Sequence, residues 1–177
     1  MRTVVWDPDG PAVQLIDQRL LPGELKVLSL RQPDEVAAAI RDMAVRGAPA
    51  IGAAAAFALA LAGSLSPASD SVSLQTELRR AADNLRACRP TAVNLGWAID
   101  RMLRAASQAA PEGPEAIRRR VSLEAQRLAD EDVEVNRRLG QHGSALVHDG
   151  DTVIHHCNTG ALAAVDYGTA LGILRTA

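Results

Sequence analysis

The chain has 177 residues and is 47% hydrophobic, which is enough for one sizeable domain or for a small domain with part of another. Because aromatic residues make up only 2%, the core must be built from closely packed Ala, Leu, Val and Ile. A net charge of -2 gives no electrostatic footprint for nucleic acid or an anionic membrane, so we expect neither as a partner.

Other features of the composition indicate a cytoplasmic protein. Residues 1–7 lack the apolar core of a signal peptide. The two cysteines, Cys88 and Cys157, make no disulfide framework, so we expect two free thiols in a reducing compartment. The uncharged window 47–69 is mostly Ala with Gly and Pro and lacks a basic flank, which favours a buried helix over a membrane span.

The chain opens with short strands. Apolar-polar runs at 3–7, 12–17 and 25–30 are separated by the turn sequences at 8–11 (PDGP) and 21–23 (LPG). This pattern predicts an antiparallel meander of three strands.

Helices follow the meander. Pro33 fits a first helical turn, and apolar residues at helical spacing predict a helix to about Val45. Gly47 is expected to end that helix, and Pro49 to begin the next one, which is apolar on nearly all sides and should be central. Arg118 is assigned with its neighbours to a solvated face. The predicted helices after the first cover 50–65, 74–87, 92–106 and 115–139.

The last stretch, 151–177, reads as the start of an α/β unit. The apolar run Thr152–Ile154 predicts a buried strand, which ends at Cys157 and passes through Asn158, Thr159 and Gly160 into an Ala-rich helical segment. Such strand-to-helix turns present unpaired backbone N–H groups, so they are common ligand sites.

Two arginines stand just before predicted helices, each in a turn that contains proline. Arg46 precedes Gly47, Ala48 and Pro49, and Arg89 precedes Pro90. A guanidinium beside an exposed helix start could hold a phosphate group through bidentate hydrogen bonds. The alternative is that each arginine caps the preceding helix or pairs with a surface carboxylate, and the residues alone leave both interpretations open.

Cys157 is the third candidate for chemistry, as a nucleophile, an acid or base, or an inert core residue. The adjacent His155 and His156 suggest a metal site, but consecutive strand residues point to opposite faces, so we expect no metal here. The chain also has neither a Walker sequence nor a GxGxxG motif, so no nucleotide cofactor is expected.

Three longer stretches carry a family resemblance. Residues 42–52 (DMAVRGAPAIG), 89–95 (RPTAVNL) and 156–163 (HCNTGALA) resemble, in order, the motifs of S-methyl-5-thioribose-1-phosphate isomerases. Residues 5–6 and 15–22 are similar as well, so the resemblance covers essentially the whole chain. Ribose-1,5-bisphosphate isomerases and regulatory subunits of a translation initiation exchange factor are related to that family.

The resemblance implies conversion of 5-methylthioribose 1-phosphate to 5-methylthioribulose 1-phosphate in methionine salvage. It implies that Arg46, Gly47, Ala48 and Arg89 bind the substrate and that Cys157 lies beside the reacting carbons. It also implies a homodimer and a proton-donating Asp further along the chain.

The resemblance finally predicts the domain organisation. Residues 1–143 would form a meander and helical domain, and 144–177 the first strand and helix of a Rossmann-like domain, giving an α/β protein. A lone strand and helix would expose apolar surface, so we expect the chain to be the N-terminal part of a longer protein and inactive by itself. A ribose-1,5-bisphosphate isomerase and a non-catalytic regulatory subunit are the alternatives.

Overall fold

A computed structural model describes residues 1–7 and 9–177. The predicted meander is confirmed: β2 lies between β1 and β3, and both pairings are antiparallel, with Val4 opposite Leu15 and Val13 opposite Leu30. Pro8, part of the first predicted turn, lies outside the described residues. The strands are β1 (Val4–Trp6), β2 (Val13–Ile16) and β3 (Val27–Leu30).

Helices make up most of the remaining structure, so the predicted α/β class is confirmed. A short 3-10 turn, Ala110–Glu112, occupies the predicted linker. The helices are α1 (Pro33–Arg41), α2 (Ala48–Leu65), α3 (Ser71–Cys88), α4 (Val93–Ala109), α5 (Pro114–Ser144) and α6 (Ala170–Thr176).

The apolar helix α2 is central, as predicted, and packs against α1, α3, α4 and α5. It is long and apolar enough to cross a membrane, but 72% of that stretch is buried inside the protein. Gly52 admits a close approach of α4, since a Cβ there would lie 3.2 Å from the carbonyl oxygen of Asn94. Small residues thus let the helices pack closely and build a core with few aromatic rings.

The first helix ends earlier than predicted, because α1 stops at Arg41 instead of Val45. Met43 adopts a left-handed conformation (φ 60°), and the N–H of Ala44 donates to the carbonyl of Ala39, which closes the helix with a Schellman-type turn. Gly47 (φ 92°) therefore does not end α1 but stands immediately before α2.

Arg118 corrects another prediction. Instead of being solvated, its guanidinium donates to the carbonyls of Gly63, Ser66 and Ala68 and pairs with Glu115. The arginine thereby closes the C-terminal end of α2, where backbone carbonyls lack helical partners.

The predicted buried strand at Thr152–Ile154 is wrong, because this segment has no strand structure and the Ile154 side chain is 94% exposed. A strand is stable only when its backbone groups pair with a neighbour, and no neighbouring strand contacts this segment in the described residues. The helix expected directly after Gly160 is likewise a 3-10 turn, Ala161–Ala163, and α6 starts only at Ala170.

Candidate functional site

The motif stretches meet around one cavity of about 350 Å³. One wall comes from the turn between α1 and α2, one from the start of the α3–α4 connection, and one from the segment that follows Cys157. The cavity is lined by Met43, Arg46, Gly47, Ala48, Pro49, Arg89, Cys157, Asn158, Gly160, Ala163, Ala164 and Thr169.

The two arginines face this cavity from different elements. Arg46 is exposed and lies just before α2. Arg89 is half-buried and is the residue that follows α3. Neither guanidinium forms a hydrogen bond or an ion pair with any of residues 1–7 and 9–177. The alternative roles considered above, helix capping and surface ion pairing, are therefore not observed. Two unpaired cations beside one cavity can bind an anion.

Gly47 joins two of the walls. A Cβ at this position would lie 2.6 Å from the carbonyl carbon of Ala163, and the φ of 92° is itself unfavourable for a side chain. The turn that carries Arg46 therefore contacts the backbone of the terminal segment directly, which only glycine permits. Ala48 follows Gly47 as the first residue of α2 and lines the same cavity.

Cys157 lies at the cavity edge with an exposed side chain and a left-handed backbone (φ 70°). Non-glycine residues in this conformation are uncommon and concentrate at functional sites. His155 does not join the thiol at a metal site: its Nδ1 lies 3.3 Å from the Thr159 hydroxyl, and no metal-binding cluster of His, Cys, Asp or Glu occurs in the described residues.

The predicted ligand-binding turn of Asn158, Thr159 and Gly160 lies only partly at the cavity. Asn158 and Gly160 line it, and the Asn158 side chain accepts a hydrogen bond from the Gly160 N–H (3.2 Å). The Thr159 carbonyl instead accepts from the Thr169 N–H (2.8 Å), and Gly160 pairs with Gly168 in an isolated antiparallel bridge. This loop is thus folded back on the residues that precede α6.

Side chains that the sequence did not single out hold the segment after the loop. The Thr3 hydroxyl donates to the Ala161 carbonyl, and the Gln18 amide donates to the Leu162 carbonyl, both at 2.8 Å. Asp132 of α5 accepts from the Val165 N–H, also at 2.8 Å. Thr3 and Asp132 stand in no motif, and Gln18 lies in the family-like stretch 15–22 without a role implied for it.

The cavity lining combines two basic side chains, one thiol, the polar Asn158 and Thr169, and otherwise apolar or small residues. No Asp or Glu lines it in the part of the chain that the structure describes. Asp166 lies in a bend before α6, and its carboxylate accepts from the Tyr167 N–H. The described residues can therefore bind an anionic ligand beside a thiol, but they supply no carboxylic acid there.

These features define an α/β protein with a cationic cavity between a helical body and a terminal segment. Residues 44–177 match the model of the Initiation factor 2 subunit family, and the chain belongs to this family. It is 51% identical to the methylthioribose-1-phosphate isomerase of Synechococcus sp. over 176 residues, which cover 99% of this chain and 50% of that protein. With the enzyme of the same name from Chloroflexus aurantiacus it shares 48% identity over 177 residues, again 50% of that protein.

Two solved structures with this fold carry different names. The 5-methylthioribose 1-phosphate isomerase of Pyrococcus horikoshii superposes with a TM-score of 0.92 at 42% identity, over 98% of this chain and 48% of that one. The translation initiation factor eIF-2B subunit delta of A. fulgidus superposes with 0.89 at 45% identity, over 99% and 50%. The chain thus spans about half the length of the relatives it matches.

Proposed function

We propose that the protein containing this chain isomerises 5-methylthioribose 1-phosphate to 5-methylthioribulose 1-phosphate in methionine salvage. The observation that carries the proposal is the single cavity where Arg46, Arg89 and Cys157 meet. The names of the relatives at 48–51% identity support the substrate. We further propose a cytoplasmic homodimer without a cofactor, in which residues 1–143 and 144–177 belong to different domains.

The cavity supplies two of the functions that this reaction needs. Arg46 and Arg89 hold the phosphate on C1 with charge-assisted hydrogen bonds, and the start of α2 adds a favourable helix dipole. Cys157 lies beside the reacting carbons. In the balanced reaction the ring C1–O bond breaks, the ring oxygen gains a proton, one hydrogen moves from C2 to C1, and the C2 hydroxyl loses its proton to become the carbonyl, so no proton is gained or lost overall.

The family resemblance assigns protonation of the ring oxygen to an Asp further along the chain, and the described cavity lining contains no Asp or Glu. We therefore propose that residues 1–177 bind the sugar phosphate but do not turn it over. Turnover by purified 1–177 would contradict this part of the proposal without affecting the substrate assignment.

The test is a turnover assay of the full-length protein with variants at the cavity. Cys157→Ala should lower kcat by at least about two orders of magnitude, as expected when a group acting in the transition state is lost. Cys88→Ala is the matched control, because the Cys88 thiol donates to the Asn84 carbonyl and does not line the cavity. An unchanged kcat in Cys157→Ala would rule out the assigned role.

A second assay compares the arginines and the substrates. Arg46→Ala should raise the KM for 5-methylthioribose 1-phosphate, whereas Arg80→Ala, an exposed arginine of α3 outside the cavity, should not. Ribose 1,5-bisphosphate should be the poorer substrate, since a second phosphate would need another cationic cradle and the described lining has no basic side chain besides Arg46 and Arg89.

The name of the A. fulgidus structure favours a second candidate function, a non-catalytic regulatory subunit. A sugar-phosphate-binding subunit would use the same cavity, with Arg46 and Arg89 as ligands and Cys157 without a catalytic role. The two candidates differ in the assay: the full-length protein would bind methylthioribose 1-phosphate in both cases but turn it over only as an isomerase.

A further inference from the structure

The backbone from residue 161 to residue 165 forms a wall of the cavity but has little regular structure of its own. Its first part is a single 3-10 turn, and its carbonyl and N–H groups bond to side chains from the N-terminal body. Thr3 and Gln18 hold two of the carbonyls, and Asp132 holds an N–H. Among the described residues, Asp132 is the only side chain of α5 that makes such a bond to this wall.

Val165 is fixed from both sides. Its N–H donates to the Asp132 carboxylate at 2.8 Å, and its carbonyl accepts from the Thr3 N–H at 2.8 Å. The Val165 side chain is fully buried. Asn136, one turn further along the same face of α5, is also buried, but its Nδ2 has no partner in the described residues. The carboxylate of Asp132 is thus the attachment of this backbone to α5.

The position of Val165 determines the cavity because the preceding residues are walls. Ala163 and Ala164 line the cavity, and Ala163 touches Gly47, next to Arg46. Interfaces without free volume transmit displacements instead of absorbing them. A shift of Val165 would therefore move the Ala163 backbone against the turn that carries Arg46.

We propose that Asp132 is a positioning residue of the binding site, which acts through the Val165 amide to keep the Ala163–Ala164 wall against the Gly47 turn. It does not touch the ligand, and it does not line the cavity. The proposal depends on the proposed function only for the choice of ligand, because the hydrogen bond and the wall are features of the fold.

The chemistry of Asp132 fits a role in geometry better than a role in stability. Burial raises the pKa of its carboxyl group, whereas the hydrogen bond from Val165 and the neighbouring Asn136 side chain lower it in part. Desolvating a carboxylate costs more free energy than one hydrogen bond returns, but the carboxylate is a strong hydrogen-bond acceptor at short range. An asparagine could supply the same oxygen at the same place, so the conservative variant should rescue the function.

The experiment compares Asp132→Ala, Asp132→Asn and the control Glu134→Gln in the full-length protein. Glu134 is exposed on the same helix and has no hydrogen-bond or ion-pair partner in the described residues. Asp132→Ala should raise hydrogen exchange at the Val165 amide about tenfold or more relative to α2, since local opening is separable from global unfolding. It should also raise the KM for 5-methylthioribose 1-phosphate about tenfold, with a smaller change in kcat.

Asp132→Asn should restore both readouts to within about twofold of the wild-type values, because it keeps an acceptor oxygen. If Asp132→Ala does not fold, Asp132→Glu provides the same test, since it keeps the charge but displaces the oxygens by one methylene. A uniform rise of exchange in α2 and at Val165, with KM unchanged, would overturn the proposal and leave Asp132 a stabilising residue only.

Failure of the proposed function gives a different result. A wild-type protein without turnover would refute the isomerase, and Asp132 would then be judged on exchange at Val165 and on alkylation of Cys157 by iodoacetamide. In a Cys88→Ala background, Asp132→Ala should change the alkylation rate and Asp132→Asn should not. If Asp132→Ala and Asp132→Asn gave the same exchange rate at the Val165 amide and the same alkylation rate at Cys157, the positioning role would be overturned.

Discussion

The helical body and the terminal segment 158–169 are held by different forces. Around α2, buried apolar side chains pack without hydrogen bonds, and residues such as Phe57 and Leu61 are almost fully inaccessible. The terminal segment contributes little to that core. Its position depends on hydrogen bonds donated by Thr3 and Gln18, on the hydrogen bond that Asp132 accepts, and on close glycine contacts.

This difference indicates that the helical body supplies most of the stability, whereas the terminal segment sets the geometry of the cavity. Apolar burial is non-directional, so the body tolerates small shifts and loses free energy of unfolding in proportion to the atoms removed. Hydrogen bonds and glycine contacts are directional, so the segment can lose its geometry while most of the stability remains. The cavity lies between the two regions, and four substitutions would break or sharpen the contrast.

The largest expected effect is in the body. Phe57 is buried in α2 and packs near Trp6, with ring centroids 6.2 Å apart. Phe57→Ala should lower the free energy of unfolding by about 3–5 kcal/mol, because it removes a large buried side chain and leaves a cavity. Urea unfolding of 1–177 measures this loss. A loss below that of an exposed-site control, Val72→Ala on α3, would contradict the assignment of α2 as the centre.

Gly47→Ala should come next, at the contact between the two regions. It requires a left-handed alanine and overlap with the Ala163 backbone, so we expect a loss of about 2–4 kcal/mol. Weaker binding of the sugar phosphate should accompany the loss. Gly96→Ala in α4 is the matched control: no atom lies within 4 Å of the added Cβ, so stability should rise by about 0.5–1 kcal/mol. A neutral Gly47→Ala would show that the turn is not pressed against the segment.

Asp132 should give a smaller effect that depends on pH. Burial raises the pKa of its carboxyl group above the ordinary 3.8, so between the unfolded and folded pKa values the folded state binds more protons. The contribution of Asp132 to the free energy of unfolding is therefore fully present below the carboxyl pKa of the unfolded state. It is lost as the pH rises through the carboxyl pKa of the folded state. Urea titrations should show Asp132→Asn gaining on the wild type across that window. A constant difference between the two proteins at every pH would contradict the raised pKa.

The smallest effect is expected at the end of α1. Met43 occupies the left-handed position (φ 60°) that glycine usually takes after a helix. Met43→Gly should raise the free energy of unfolding by up to about 1 kcal/mol, since relief of the strained backbone exceeds the added chain entropy. Met43→Ala keeps the strain and serves as the control. Equal stability of the two variants would indicate that Met43 is not strained.

The local sequence predicted the strands and helices whose formation depends on residues within the element itself. Apolar periodicity located the meander and the helices α1 to α5 to within about five residues, because each pattern fixes which face must be buried, but it placed the last helix too early. It failed at Thr152–Ile154, where a strand-like composition has no partner to pair with, and at Arg118, whose partners are carbonyls far away in the chain. Both failures concern interactions that a sequence window does not contain.

By itself the sequence determined which residues are candidates for the site: Arg46, Gly47, Ala48, Arg89 and Cys157 stand in short motifs whose chemistry is local. Only the tertiary structure decided that they line one cavity, and that Thr159 turns away from it while Ala163 and Thr169 join it. The physical reason is that side-chain chemistry belongs to single residues. Position belongs to contacts such as Gly47 with Ala163 and Asp132 with Val165, which join distant parts of the chain.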